Sequence, residues 1–148
     1  MKMMPLFSIL GLLAAGCASL TASSVDTNLS ANDAALLATD ASAQLAATLP
    51  PARTTIVLNQ QSFKFKQGKE VANQMIEKLR ARGFGVSQPN QKNKELTAVP
   101  VRYNVSPLET GVILQLKYDG IEAARFYRRA QNGSLVRAAP FTIRQNTY

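Results

Sequence analysis

The sequence predicts a small α+β domain preceded by a signal peptide, a flexible tether and an alanine-rich helix. Three observations support this prediction. The segment GKEVANQMIEKLRARGF has one apolar face and one charged face, as an amphipathic helix does. Apolar and polar residues alternate in the later segments, as in half-buried strands. Two type I′ turn signals, Asp119-Gly120 and Asn132-Gly133, join those segments. We therefore expect a β-α-β start and then an antiparallel meander over residues 51–148.

The first sixteen residues have the features of a secretory signal. Lys2 supplies a positive charge, an apolar run from Leu6 to Ala15 follows it, and small residues end the segment. The run is too short to span a bilayer as a helix, which takes roughly 20 residues. Residues 1–16 are therefore predicted to be a signal peptide.

Cys17 is the single cysteine of the chain, and it directly follows Ala14, Ala15 and Gly16. One thiol cannot form an internal disulfide, and a free thiol is a liability in an oxidising compartment. The alternatives are a core cysteine or a soluble secreted protein. The segment LLAAGCAS resembles a bacterial lipobox, which implies that Cys17 is a lipid attachment site. Its acyl chains would then hold the protein at a membrane.

The mature chain has two parts of opposite charge. Residues 18–52 contain three aspartates and no lysine or arginine. Residues 53–148 contain 16 basic and six acidic residues, a net charge of +10. This asymmetry predicts different surroundings for the two parts. Residues 17–31 are rich in Ser, Thr and Ala, and we expect them to be the lipidated N-terminus and a flexible tether.

An alanine-rich helix is predicted over residues 32–50. Ser30 and Asp33 form a capping box at its start, and Pro50-Pro51 stops it. The apolar residues that recur at intervals of four are Leu37, Ala41 and Leu45. We expect this narrow stripe to pack weakly, or only on a partner.

The first half of the domain begins with a strand at RTTIVLNQ and continues with the amphipathic helix. Gly83 can take the left-handed conformation after the helix, which would let Phe84 fold back toward Leu79. FGVSQ predicts the next strand, and PNQKNKEL predicts a polar loop.

The second half of the domain consists of predicted strands. In AVPVRYNV, Pro100 favours an edge position because proline has no N–H. GVILQLKY, IEAARFYRRAQ and SLVRAAPFTIRQ predict the three strands of the meander. The expected core includes Ile56, Leu58, Met75, Leu79, Leu114 and Leu116.

The composition disfavours catalysis. The chain has no histidine, which removes the commonest general base and every Ser-His or Cys-His nucleophile pair. With Cys17 committed to lipid, the usual zinc ligands are lacking as well. No glycine-rich phosphate loop precedes a helix, and nothing singles out a catalytic pair of carboxylates. We expect no enzyme, no metal and no cofactor.

The sharpest local feature is the basic segment RFYRR, residues 125–129. On a strand, Arg125, Tyr127 and Arg129 would share one face, and Phe126 and Arg128 would share the other. Such a segment could bind nucleic acid, with arginines on phosphates and aromatic rings on bases. We favour a solvated or lipid-facing strand whose aromatic rings pack in the sheet. The candidate partner-binding residues are Arg125, Tyr127, Arg128 and Arg129, with anionic lipid, peptidoglycan or an acidic protein as counterpart.

The order of these segments resembles the TrbH family of conjugal-transfer lipoproteins. The resemblance covers about residues 33–144, and its most specific piece is LPPARTTI before a helix that ends in LRARGFGV. The strand VRYNV and the segments ARFYRR and PFTIR follow in the same order.

The resemblance implies an outer-membrane lipoprotein with its domain in the periplasm. Such a protein is a structural subunit of a conjugative type IV secretion system, which carries out mating-pair formation and DNA transfer. Its partners would be the membrane, through the lipid, and the other subunits of the channel's outer-membrane complex, without specific nucleic-acid binding. The alternative is a cell-envelope lipoprotein that binds peptidoglycan or acts as a pilot for another secretion machine.

Overall fold

The computed structural model describes residues 23–58, 66–87 and 98–146. The predicted signal peptide, Cys17 and the predicted polar loop at 89–96 lie outside the described residues. In chain order the helices and strands are β1 (Ser24–Val25), α1 (Ala31–Thr48), β2 (Thr55–Leu58), α2 (Lys66–Ala81), β3 (Gly85–Ser87), β4 (Ala98–Leu108), β5 (Gly111–Tyr118), β6 (Ile121–Arg129), β7 (Leu135–Arg137) and β8 (Thr142–Gln145).

The described strands form one mixed sheet in the order β3-β2-β4-β5-β6-β7. β2 is parallel to both β3 and β4, and α2 lies between β2 and β3 in the chain. β4, β5 and β6 are antiparallel neighbours. β7 pairs with the end of β6, and β8 pairs with its beginning. The predicted α+β class, with a β-α-β start and an antiparallel meander, is confirmed.

Both helices pack on the same face of the sheet, and the hydrophobic core lies between the two layers. The side chains on this face come from alternate positions of the strands, as the pleat of a sheet requires. All six residues predicted for the core are at most 1% exposed: Ile56, Leu58, Met75, Leu79, Leu114 and Leu116.

α1 is part of this core, so the expectation that it packs weakly is wrong. Its capping box is confirmed, because Ser30 Oγ accepts a hydrogen bond from the Asp33 N–H at 3.1 Å and the Asp33 carboxylate accepts one from the Ser30 N–H at 3.2 Å. Several alanines are buried with the leucines, which makes the apolar stripe wider than the leucines alone suggest. The buried apolar residues are Ala34, Leu37, Ala38, Ala41 and Leu45.

Residues 23–31 of the predicted tether are ordered, which corrects the expectation of flexibility for that part of it. Ser23 is buried, and its Oγ accepts a hydrogen bond from the Tyr103 N–H at 3.1 Å. Ser24 and Val25 then pair with β4 as the short strand β1. β2 pairs only with the first four residues of β4, so the later residues of β4 on that side are free to pair with β1.

The C-terminus of α2 has the predicted geometry. Gly83 has φ of +91°, and the Phe84 N–H donates to the Leu79 carbonyl at 3.1 Å. Phe84 is thereby buried against the core. A left-handed glycine that returns the chain in this way is a common helix stop.

Pro100 lies in an interior strand, so its predicted edge position is wrong. β4 has β2 on one side and β5 on the other, and Pro100 pairs with Val57 of β2. The ladder between β4 and β5 begins only at Val101. The missing N–H of Pro100 therefore does not interrupt that ladder.

The two predicted turns differ. Asp119 and Gly120 both have positive φ, 46° and 71°, as a type I′ turn requires. In the second turn only Gly133 does, at 81°. There the Ala130 N–H donates to the Ser134 carbonyl at 2.9 Å, so the loop is longer than a two-residue turn and the type I′ prediction is wrong.

The last predicted strand is two strands. β7 and β8 both pair with β6, and the segment 138–141 between them makes no ladder. Pro140 lies in that segment and has no N–H to give to a ladder. SLVRAAPFTIRQ therefore pairs with β6 twice, once at each end.

Candidate functional site

The predicted partner-binding segment lies in β6, with the alternation that the sequence predicts. Arg125, Tyr127 and Arg129 share one face of the sheet, and Phe126 and Arg128 share the other. The first face is the one that α1 covers. Three of the four candidate side chains therefore point toward a helix of the same chain.

Asp40 of α1 is the centre of a polar cluster on this face, and its side chain is only 6% exposed. Its carboxylate accepts a hydrogen bond from the Tyr127 hydroxyl at 2.9 Å and one from Arg125 Nη1 at 3.2 Å. Arg137 of β7 donates to both carboxylate oxygens, from Nε at 2.8 Å and from Nη2 at 2.7 Å. We call these four residues the Asp40 clamp, since together they attach α1 to β6 and β7.

The surroundings of the clamp raise the pKa values of two of its members, Tyr127 and Arg137. Burial, and after it the negative charge of Asp40, raise the pKa of Tyr127, so the phenol stays protonated and donates. The hydrogen bond to Asp40 raises the pKa of Arg137 further above its already high value. Arg125 is also fixed from its other side, because its Nε donates to the Ala139 carbonyl at 2.7 Å.

Asp33, seven residues before Asp40 in α1, makes a second attachment of this helix to β6 and β7. Its carboxylate accepts a hydrogen bond from the Leu135 N–H at 2.9 Å, and Arg129 Nη1 lies 3.6 Å away. Burial raises the pKa of Asp33, but hydrogen bonds from Leu135 and Ser30 and the charge of Arg129 outweigh this, so the net pKa is lowered.

These contacts bring the acidic N-terminal part and the basic C-terminal part of the chain together. The expectation that the two parts have different surroundings is therefore wrong for Asp33 and Asp40, which pair with arginines of β6 and β7. Sequence reasoning missed both aspartates and Arg137 as partners of the basic segment. The signal that could have found them is the opposite charge of the two parts.

The other face of the sheet, which we call the open face, is the one that α1 and α2 do not cover. Arg128 is exposed there, the one candidate residue of the four on this face. A row of charged residues crosses the open face from β4 to β8. We call it the charged row, and its cross-strand neighbours are, in order, Arg102, Lys117, Glu122 and Arg144.

Glu122 is shared by two cations of the charged row. Its carboxylate pairs with Arg144 and, at 2.9 Å, with Lys117 Nζ. The hydrogen bonds from Arg144 and then Lys117 lower the pKa of Glu122 to about 2. Three cations and one carboxylate leave the charged row with a net charge of +2.

Neither metal ligands nor a membrane span stand out in the described part of the chain. No group of three or more Asp, Glu, His or Cys side chains there could hold a metal ion. The two described helices are too short or too polar to cross a membrane.

Comparison with known proteins gave one family match. The family model described as "Conjugal transfer protein TrbH" matches residues 16–147 of this chain. No curated protein and no solved structure gave a significant match.

Proposed function

The chain belongs to the TrbH family of conjugal transfer proteins, and from this premise we propose that it is an outer-membrane lipoprotein anchored through Cys17. In this proposal it is a structural subunit of a conjugative type IV secretion system, with its domain in the periplasm. The observation that carries the proposal is the position of Cys17. It is the single cysteine, it follows an apolar run and three small residues, and it lies at the start of the matched range.

The use of the charged side chains supports a structural role. Asp33 and Asp40 bind arginines of the same chain and attach α1 to the sheet. Polar residues that hold elements together contribute rigidity and a defined shape, which a subunit of an assembly needs. The proposal includes no catalytic step.

Lipid attachment is tested by labelling cells with a palmitate analogue. The wild-type chain should take up the label and stay with the outer membrane after a high-salt wash. Cys17→Ser should lose both properties. The matched control, Cys17→Ser with Ser19→Cys, keeps one thiol nearby and should also lose both. A Cys17→Ser variant that is still labelled, or that still resists salt extraction, would show that the anchor is elsewhere.

The role in transfer is tested by a mating assay. Deletion of the gene should abolish DNA transfer, the wild-type chain should restore it, and Cys17→Ser should not. The wild-type chain should also co-purify with subunits of the secretion channel. Normal transfer without the protein, together with retention on peptidoglycan, would instead favour the alternative of an envelope-binding lipoprotein.

A further inference from the structure

We propose that the open face lies against the membrane and that the charged row binds the phosphate groups of anionic phospholipids. This orientation rests on the proposed lipid anchor at Cys17, whereas the affinity for phospholipid does not. Three features of the molecule support the proposal: the short chain between the anchor and the fold, the position of the charged row, and its charge.

The chain between Cys17 and the fold is short. Ser23 is buried and hydrogen-bonded to β4, so only five residues, 18–22, separate the lipidated cysteine from a fixed point of the sheet. An extended residue spans about 3.5 Å, so Ser23 lies within about 20 Å of the membrane. A domain of this size has a radius of gyration of about 14 Å. The tether is therefore too short for Ser23 to lie on the far side of the domain, so Ser23 stays on the half of the domain nearer the lipid.

The charged row begins beside this fixed point. Ser23 bonds to Tyr103, and Arg102 is the preceding residue of β4, with its side chain on the open face. Neighbouring strands are about 4.8 Å apart, so the row extends about 15 Å from β4 to β8. This distance is within the reach of the tether. The helices occupy the opposite face, so the open face is the flat surface available near Ser23.

The cations of the two faces differ in what they bind. On the helix side, Arg125, Arg129 and Arg137 are paired with Asp33 and Asp40. On the open face, one carboxylate, Glu122, serves two cations, and Arg102 has no ion pair within the described residues. Guanidinium and ammonium groups bind phosphate through charge-assisted hydrogen bonds.

A recess beside the charged row gives a phosphate a place to enter. It has a volume of about 330 Å³, and Arg102 and Lys117 both line it. Two carboxylates, Asp119 and Glu122, also line it, and Glu122 is already paired with Lys117. Each basic residue at an anionic membrane surface contributes about fivefold in affinity, so the three cations of the row correspond to about a hundredfold.

The test uses the mature chain with Cys17→Ser, so that no acyl chain contributes to binding. It is mixed with phosphatidylcholine vesicles that contain or lack phosphatidylglycerol, and the bound fraction is measured by sedimentation. We expect binding only where phosphatidylglycerol is present. The triple variant Arg102→Gln, Lys117→Gln and Arg144→Gln should bind about a hundredfold more weakly.

The matched control removes the same charge from α2, through Lys66→Gln, Lys69→Gln and Arg80→Gln, which are exposed residues. It should lose less than about fivefold. Arg102→Gln alone leaves both ion pairs of Glu122 intact and should still lose about fivefold. Circular dichroism melting curves establish that each variant is folded.

Equal losses in the row variant and in the α2 variant would overturn the proposal, as would the absence of binding to phosphatidylglycerol vesicles. Binding of single-stranded DNA by the charged row without vesicle binding would also overturn it and identify a nucleic-acid surface instead. Failure of the anchor is a separate result, since a chain that takes up no palmitate can still bind these vesicles through the charged row.

Orientation is tested on the lipidated protein in such vesicles. A fluorescent label on Gln115→Cys, on the open face, should be quenched by lipid-borne quenchers, and a label on Asn73→Cys, on the exposed side of α2, should not. The reverse pattern would show that the helices face the membrane.

Discussion

Replacing Asp40 by asparagine keeps the size of the side chain and removes the charge at the centre of the Asp40 clamp. The variant loses the bidentate pair with Arg137 and the pair with Arg125, while the Tyr127 hydroxyl can still donate to the amide oxygen. Helix propensity does not decide the result, because Asn and Asp are nearly equal in this respect.

The magnitude follows from the exposure of the two arginines. A hydrogen bond to a charged group contributes about 1.5–3 kcal/mol when buried. The Arg137 side chain is 48% exposed, so water replaces much of its bond and about 1 kcal/mol remains. Arg125 is 18% exposed and contributes about 1–2 kcal/mol. We therefore expect Asp40→Asn to lower the free energy of unfolding by about 2–3 kcal/mol, which lowers the Tm by about 10 °C.

The assay is urea and thermal unfolding of the mature chain carrying Cys17→Ser, followed by circular dichroism. Glu109→Gln, which removes an exposed carboxylate at the turn between β4 and β5, is the control and should change stability by less than about 0.5 kcal/mol. The double variant Asp40→Asn with Arg137→Gln should cost less than the sum of the two single changes, by about 1 kcal/mol. An Asp40→Asn variant as stable as the control would refute the reasoning, because the clamp would then not hold α1.

Three further predictions concern the same fold. Arg125→Gln should lower the free energy of unfolding by about 1–2 kcal/mol and Arg128→Gln by less than about 0.5 kcal/mol, measured by urea unfolding; equal effects would contradict the assignment of these residues to opposite faces. Folding lowers the pKa of Asp33 below its ordinary value of 3.8, so the Asp33 carboxylate contributes its full stabilisation above about pH 4 and loses it as the pH falls through the lower pKa of the folded state. Asp33→Asn should remove this part of the acid dependence of the melting curves. An unchanged pH profile in that variant would contradict the prediction. In Gly111→Ala the new Cβ would lie 1.9 Å from a carbonyl oxygen of β6, so the free energy of unfolding should fall by about 3 kcal/mol or the variant should fail to fold. Gly133→Ala, which has open space around it but a positive φ, should lower it by only about 1 kcal/mol in the same assay. A Gly111→Ala variant that melts like the parent would refute the strand register.

Local signals in the sequence predicted local structure well. The capping box of Ser30 and Asp33, the two faces of α2 and the positive φ of Asp119-Gly120 each depend on residues a few positions apart. The alternation of Arg125 and Arg128 between the faces of β6 also follows from a period of two. In all these cases the physical cause lies within a few residues.

The contacts that the sequence did not reveal join distant parts of the chain. Asp40 and Arg137 are 97 positions apart, and Ser23 and Tyr103 are 80 apart. Periodicity contains no information about such pairs, so β1 was expected to be tether and Arg125 was expected to be solvated. The interior position of Pro100 could not be predicted either, because it is set by the pairing of β4 with β2, which is distant in the chain, as well as with β5.

The long separation between Asp33 and Leu135, 102 positions, also affects when the chain can complete its fold during synthesis. Contacts that close long loops form late, because the loop must be ordered before the contact stabilises it. A chain that emerges with its N-terminus first can pack α1 on α2 early, but the partners of Asp33 and Asp40 in β6 and β7 are not available until the last strands have emerged. This delay makes the pairing of the C-terminal strands with α1 the step that commits the protein to its native state.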